Sequence, residues 1–382
     1  MSPRQHNPPM IHLGLRRPGR LANAQAAPLN QRPAASRAPI PHHLFPNHRM
    51  ALTTHSFHTP QLTGSPTRPA SPRQPARYTR PMHPPVRLVA IDMDGTLLPN
   101  PIHPSVATVV TRRNANALRA AQAAGITVAI ATGRRMAYTV PLLESLGLRA
   151  DTPLITSNGA VIRTLDGQLI DRFHLEARVA RALCGLLRPY GAVVFTFDRP
   201  GRPELVLEDL EQAHGRIALW VETNRKAIEV IKPLERAFDD GADPIQGMVT
   251  GYVSKMKEAE RALKASEWSS SCECVRTEYP ARDVCILDLL PIGVSKGCAL
   301  QDLAGRLGVS RSETMAIGDN WNDVDMLEWA GQGVVMGNAA LELRAMAKTR
   351  GWKQAPPNDD DGVAVALETA MKKHAVNDLA GD

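Results

Sequence analysis

Four short apolar runs, each stopping at a polar cluster, constrain this chain more than any other feature. "VRLVAI" (86–91) leads into Asp92, "ITVAIA" (126–131) into "TGRR", "PLIT" (153–156) into "SNGA", and "TMAI" (314–317) into "GDNWND". Continuous apolar runs of this length suit parallel strands covered on both faces. The intervening segments have helical spacing: "SVATVVTRRNANALRAAQAAG" (105–125) stops at Gly125 and "SKGCALQDLAGRLG" (295–308) at Gly308, both natural helix ends. Strand and helix in alternation predict an α/β fold built on a doubly wound, Rossmann-like parallel sheet. Ligands of such sheets bind beyond the carboxyl ends of the strands, where all four polar clusters fall. Caps and turns explain one or two such endings; four together point to a site.

Asp92 and Asp94 are two positions apart, so in extended backbone their side chains share a face. Carboxylates so close repel and split their pKa values unless a cation relieves them. Oxygen-only donors point to Mg²⁺ rather than zinc, and Asp319 and Asp323 of "GDNWND" are candidates for the remaining donors. Acidic oxygens around Mg²⁺ commonly serve phosphate. The surroundings agree: Gly95 and Thr96 begin a turn rich in N–H donors, Thr132 offers a hydroxyl, Asn158 an amide and Lys296 a point charge. Singly, each also has a structural role open to it. Asp94 could cap a turn, Thr132 a helix; Lys296 could be a surface lysine; Asp323 and Asp325 could complement a helix dipole; Asn158 and Gly159 could be an ordinary turn. Order and spacing favour the site, whereas for Asp325, Arg134, Arg135 and Asn338 a structural or substrate-positioning reading is preferred.

In this order, "DMDGTLL", "ATGR", "GVSKG" and "GDNWND" resemble the four motifs of the haloacid dehalogenase (HAD) superfamily. "SNGA", the long insert after it, "VVMGNA" and "DGVA" are similar to its Cof-type class IIB branch. The resemblance covers about residues 86–366. It implies a Mg²⁺-dependent phosphatase that hydrolyses a small phosphomonoester, a sugar phosphate or a phosphorylated cofactor or precursor, through an aspartyl-phosphate. It makes Asp92 the nucleophile and Asp94 the general acid and then base. Thr132 and Lys296 would hold phosphoryl oxygens, with Gly95, Thr96, Gly133, Asn158, Gly159 and Asn322 around the phosphate. Mg²⁺ would be held by Asp92, the backbone carbonyl of Asp94 and Asp319, with Asp323 in the outer shell.

Residues from about 172 to 285 are too many for a loop and predict an inserted α+β cap domain between core segments 86–171 and 286–382. "EARVARALCGLLRPYG" and "MKEAERALKA" read as helices; "GAVVFTF", "GRIALWV" and "CECVRTEY" read as strands. "VCILDLLP" carries the chain back to the core; family members often show "EI" before the proline where this chain has "LDLLP". By resemblance the cap closes over the metal site, excludes water and selects the leaving group. His174, Trp220, His214 and Tyr252 are more simply core or surface residues than pocket walls.

Residues 1–85 differ from everything after them. They contain eleven Arg and seventeen Pro but no Asp, Glu or Lys, so the net charge of +7 belongs to this arm, and residues 86–382 carry about −4 by count. Such sequence cannot bury enough surface to offset its ordering entropy and reads as disordered. A dispensable tail, with Met82 as a downstream start, is the preferred account. An organelle-targeting peptide and a basic binding arm stand beside it, the first weakened by the prolines and the second by the scattered charges. No run of about 18 apolar residues exists, so a cytoplasmic protein without a membrane partner is expected. The five cysteines lack paired CxxC spacing and read as free thiols.

Two other functions stay open. A phosphomutase or phosphotransferase of the same superfamily would pass the phosphoryl group to a second hydroxyl. A nucleic-acid-binding protein would use the basic arm, but the intact polar set argues against a dead scaffold, and a small phosphorylated metabolite is the expected partner.

Overall fold

The computed structural model describes residues 85–99, 109–199, 201–279 and 282–378, with the backbone alone for residues 214, 216 and 373–378. The arm expected over residues 1–85 falls outside the described residues up to residue 84.

All four apolar runs become strands of one eight-stranded sheet. Its centre is β1 (Leu88–Asp92), flanked by β2 (Thr127–Ala131) and then β3 (Pro153–Thr156) on one side. On the other side come β12 (Thr314–Gly318), β13 (Gln332–Val335) and β14 (Lys353–Gln354), all parallel. Beyond β3, the strands β4 (Val161–Thr164) and β5 (Leu169–Arg172) join antiparallel. The runs are apolar throughout because both faces are covered. Val89 and Ile91 pack with Leu118 of α1 (Arg112–Ala123) and Leu367 of α9 (Gly362–Asp378). Leu88 and Ala90 pack on the opposite face with Leu300 and Leu303 of α6 (Lys296–Leu307) and Leu327 of α7 (Val324–Trp329). The helix expected over 105–125 is seen from Arg112, capped by the Thr111 hydroxyl; its first residues lie outside the described ones.

The insert folds around a second, six-stranded sheet, ordered β10-β11-β9-β6-β7-β8. These strands are β6 (Ala192–Thr196), β7 (Leu205–Leu207), β8 (Ile228–Val230), β9 (Gln246–Gly251), β10 (Glu273–Tyr279) and β11 (Val284–Leu290). The sheet runs past residue 285 to Leu290, because Asp288 and Leu289 pair with Met248 and Gly247. One face buries Phe195, Val249 and Leu287 against α3 (Ala177–Leu187) and α5 (Val253–Ala265). On the other face "GRIALWV" is not the expected strand but part of α4 (Leu210–Asn224). Its β-branched and aromatic residues suggest a strand, yet Ala213, Ile217, Trp220 and Val221, on helical turns either side of a kink at Ile217 (φ −130°), pack on Ala192, Val194 and Met248. The Asp209 side chain caps the helix by accepting from the Gln212 N–H. No helix among the described residues is long and apolar enough to cross a membrane.

Candidate active site

Asp92 ends β1, so its carboxylate lies at the carboxyl edge of the sheet, almost fully buried. Lys296 opens α6, where the helix dipole disfavours a cation. Two carboxylates offset this: Lys296 Nζ donates to Asp92 Oδ1 at 2.6 Å and to Asp323 Oδ1 at 2.7 Å. Asp323 Oδ2 accepts the backbone N–H groups of Asp319 and Asn320, both at 3.0 Å, so both its oxygens are occupied. Such packing needs Gly318, where a Cβ would sit 2.6 Å from the Asp323 side chain. Asp319 Oδ1 accepts from the Thr96 hydroxyl at 2.9 Å, and Asn338 Nδ2, 3.5 Å from Asp319 Oδ2, also donates to the Gly95 carbonyl at 2.7 Å.

Oxygens of Asp92, Asp319 and Asp323 lie within 4.8 Å of one another. Three buried carboxylates face a single ammonium. Burial, then Asp323, pushes Asp92 up to about 7 against the pull of Lys296. Burial, Asp92 and Asp323 raise Asp319 well above the usual range. Burial works against the charge on Lys296, but Asp323 and Asp92 outweigh it and raise its pKa. This uncompensated negative charge, offered by oxygen donors alone, fits a hard divalent cation held by Asp92 and Asp319.

The other predicted residues converge on the same point, with two differences. Asp94 is not one of that trio, and its carboxylate is held by an arginine: Arg134 Nε donates to Oδ2 at 2.6 Å and Arg134 Nη2 to Oδ1, while the guanidinium lies 4.5 Å from the Tyr138 ring centroid. Thr132 is fully buried; its hydroxyl accepts from the Arg134 N–H and its carbonyl from the Asn158 N–H. Asn158 adopts left-handed backbone (φ 52°), its Oδ1 accepts from Asn322 Nδ2 at 3.2 Å, and its buried Nδ2 has no hydrogen-bond partner. Gly159 brings this loop onto α6, since a Cβ there would meet the Ser295 carbonyl oxygen at 2.3 Å. The second difference is in the turn after Asp94. The Gly95 N–H donates to Leu98 and the Thr96 hydroxyl is committed to Asp319, so these groups support the turn and the carboxylate instead of standing open for phosphate. Asp325 has the structural role preferred for it, accepting the Gly297 N–H at the start of α6.

Asp92, Asp94, Gly133 and Asn322 border a cavity of about 540 Å³ roofed by the insert. Trp220 lines it as well as packing on the sheet, whereas His174 and Tyr252 do not line it. Sequence reasoning missed the grip of Arg134 on Asp94 and the roof residues Gln246, Tyr279, Arg282 and Asp288. Arg135 has the structural role preferred for it, crossing to Glu204 and to Asn224 Oδ1 (2.9 Å) in the insert. One signal was available: Asp288 is a lone charge inside the apolar strand "VCILDLL".

A doubly wound core with a buried carboxylate–lysine cluster at its strand ends, covered by an inserted α+β cap, defines a HAD-type hydrolase. The chain belongs to that family: residues 89–367 match the haloacid dehalogenase-like hydrolases, and its relatives place it in the Cof-type class IIB branch. It is similar to phosphatase YwpJ of Bacillus subtilis, 30% identical across 73% of this chain and 98% of that protein. It is also similar to the HMP-PP phosphatase of Escherichia coli, 30% identical across 68% of this chain and 87% of that protein. A haloacid dehalogenase-like hydrolase from Bacteroides thetaiotaomicron superposes with a TM-score of 0.59 at 25% identity, over 74% of this chain and 99% of that one. The protein is a phosphoric monoester hydrolase.

Proposed function

We propose that the protein is a Mg²⁺-dependent phosphatase that hydrolyses a small phosphomonoester through an aspartyl-phosphate on Asp92. The observation that carries this reading is the buried trio Asp92, Asp319 and Asp323, with Lys296 paired to Asp92 and Asp323, beneath a roofed cavity. Mg²⁺ would be held by Asp92, Asp319 and the Asp94 carbonyl, with Asp323, whose oxygens are occupied, in the outer shell. When bound, the ion supplies positive charge that lets a carboxylate approach a phosphate dianion.

An Asp92 oxygen attacks phosphorus as the bond to the leaving oxygen breaks, and Lys296 offsets the charge on Asp92 and the phosphoryl group. Asp94 gives the leaving oxygen its proton. A water then attacks the aspartyl-phosphate, Asp94 takes the proton of that water, and inorganic phosphate leaves with Asp92 restored. Thr132, Gly133, Asn322 and the unpartnered Asn158 Nδ2 surround the phosphoryl group, while Arg134 holds Asp94 at the cavity wall and is its positioning residue. We assign the core to residues 86–171 and the part after Leu290, and the cap to the chain between. A cavity of about 540 Å³ suits a small phosphorylated metabolite. Relatives named as phosphatases of HMP-PP and of 5-amino-6-(5-phospho-D-ribitylamino)uracil support that class.

The test is phosphate release by the full chain from p-nitrophenyl phosphate and a panel of sugar and cofactor phosphates, with and without Mg²⁺, beside Asp92→Asn. Release that requires Mg²⁺ and falls by about 10³ or more in Asp92→Asn is expected. Equal rates for the two proteins would refute the covalent route. An isomeric phosphate in place of inorganic phosphate would make the protein a mutase.

A further inference from the structure

The inner face of the six-stranded sheet changes character across its width. Under α4 it is apolar, with Ala192, Val194 and Met248. Past the helix, where it roofs Asp92 and Asp94, it presents Thr196, Gln246, Thr277 and Asp288, all at most 9% exposed. Strand alternation puts Gln246 on the face of Met248, and Asp288 on the face of Ile286.

Asp288 is 6% exposed and has no ion-pair partner among the described residues. Its Oδ1 accepts from Gln246 Nε2; nothing among the described residues donates to its Oδ2 or to Gln246 Oε1. Both residues line the cavity. Burial pushes Asp288 up to about 7, against Gln246, the nearby Asn158 amide and the charge of Lys296. The Asn158 amide is close enough to favour the charged carboxylate without forming a hydrogen bond of good geometry. A pair kept only for packing would be better made from apolar side chains, since acceptors shut away without donors are costly. Here two acceptors without a donor among the described residues line the roof of the cavity.

We infer that Asp288 and Gln246 determine specificity by accepting hydrogen bonds from neighbouring O–H or N–H donors on the leaving group. Such donors occur on a polyol or an amino-substituted heterocycle. This rests on the phosphatase reading. A leaving group without donors would bury both acceptors unpaired, which is how a polar site rejects an otherwise similar ligand.

The experiment measures kcat and KM of the full-length protein with Mg²⁺ for p-nitrophenyl phosphate and two sets of matched pairs. One set is hexose 6-phosphates with their deoxy analogues; the other is (4-aminopyrimidin-5-yl)methyl phosphate with its desamino analogue. In wild type at least one donor-bearing member should exceed its donor-less analogue in kcat/KM by about tenfold or more. The set in which this happens distinguishes hydroxyl from amine. That preference should shrink to about twofold or less in Asp288→Leu and, independently, in Gln246→Leu, mainly through KM, with thermal unfolding confirming that each variant folds. A preference that survives in both folded variants, or a wild type that does not distinguish the pairs, would overturn the inference. A wild type that releases phosphate from nothing in the panel, p-nitrophenyl phosphate included, would overturn the phosphatase reading and this inference with it.

Discussion

Asn320 and Glu278 pair across the junction of core and cap as though they were neighbours in one sheet. The Asn320 amide donates to the Glu278 carbonyl at 3.1 Å, and its Oδ1 accepts the Glu278 N–H at 3.3 Å. A side-chain amide thus stands in for a peptide group at the end of β10, one residue from Asp319. Asn320→Ala removes both bonds, so kcat/KM should fall about tenfold, within the usual worth of one or two hydrogen bonds. The insert should also be cut faster in limited proteolysis, and unchanged kinetics with unchanged cleavage would show that this pair does not hold the cap.

Lys296 is the sole cation within hydrogen-bond reach of Asp92 and Asp323 among the described residues. Lys296→Met leaves buried carboxylates unpaired, a loss of about 3–5 kcal/mol in comparable buried pairs. Turnover should drop by about 10³ or more. The deficit in Tm should be larger in EDTA than in Mg²⁺, because a divalent ion restores part of the missing positive charge. Thermal unfolding in both buffers checks this.

Mg²⁺ itself should raise the Tm of the wild type by mass action, about 2.7 kcal/mol of added stability at one hundred times its Kd. Asp319→Asn should abolish most of that rise while leaving the fold intact. A Tm rise of equal size in the variant would place the ion elsewhere.

Asp288 gives a pH prediction with a definite sign. It is raised to about 7 from an ordinary value of 3.8 by burial. The unfolded chain therefore loses this proton near pH 4, whereas the folded protein keeps it until about pH 7. Between these values the folded state binds more protons, so the stability contributed by this group is full below pH 4 and lost as pH rises to about 7. Tm should consequently decline less between pH 5 and pH 8 in Asp288→Asn than in wild type, and parallel profiles would refute the assignment.

Gly159→Ala tests how the third polar cluster packs on the start of α6. With φ at 104° and a Cβ position 2.3 Å from the Ser295 carbonyl, the substitution should cost about 1–3 kcal/mol. It should also reduce turnover by moving Asn158 relative to Lys296. Chemical denaturation and kinetics of the one variant report both effects.

The core was legible because its signals are local. A parallel strand buried on both faces must be apolar along its length, and it must end in polar residues where ligands bind, so "LVAID", "TVAIA", "PLIT" and "TMAIG" show themselves without tertiary knowledge. Helix ends at Ser295 and Gly308 follow from side-chain and glycine chemistry within a few residues, whereas the start of α1 after Thr111 was not read from the sequence. The cap was less legible. "GRIALWV" has strand-like composition, and the packing of its helical face on Val194 and Met248 decided its conformation.

By itself, then, the sequence determined the doubly wound core, the presence of an insert, and the set Asp92, Asp94, Thr132, Lys296, Asp319 and Asp323, because each depends on short-range pattern and residue chemistry. Tertiary structure alone decided what those groups touch. Thr96 serves Asp319, Arg134 grips Asp94, and Asp288 with Gln246 faces the cavity from the roof. These partners lie tens to hundreds of residues apart. The pairing of β1 with β2 and β12, and of β9 with β11, brings them within hydrogen-bond distance, and the second sheet over the carboxyl edge of the first brings Asp288 and Gln246 to the cavity.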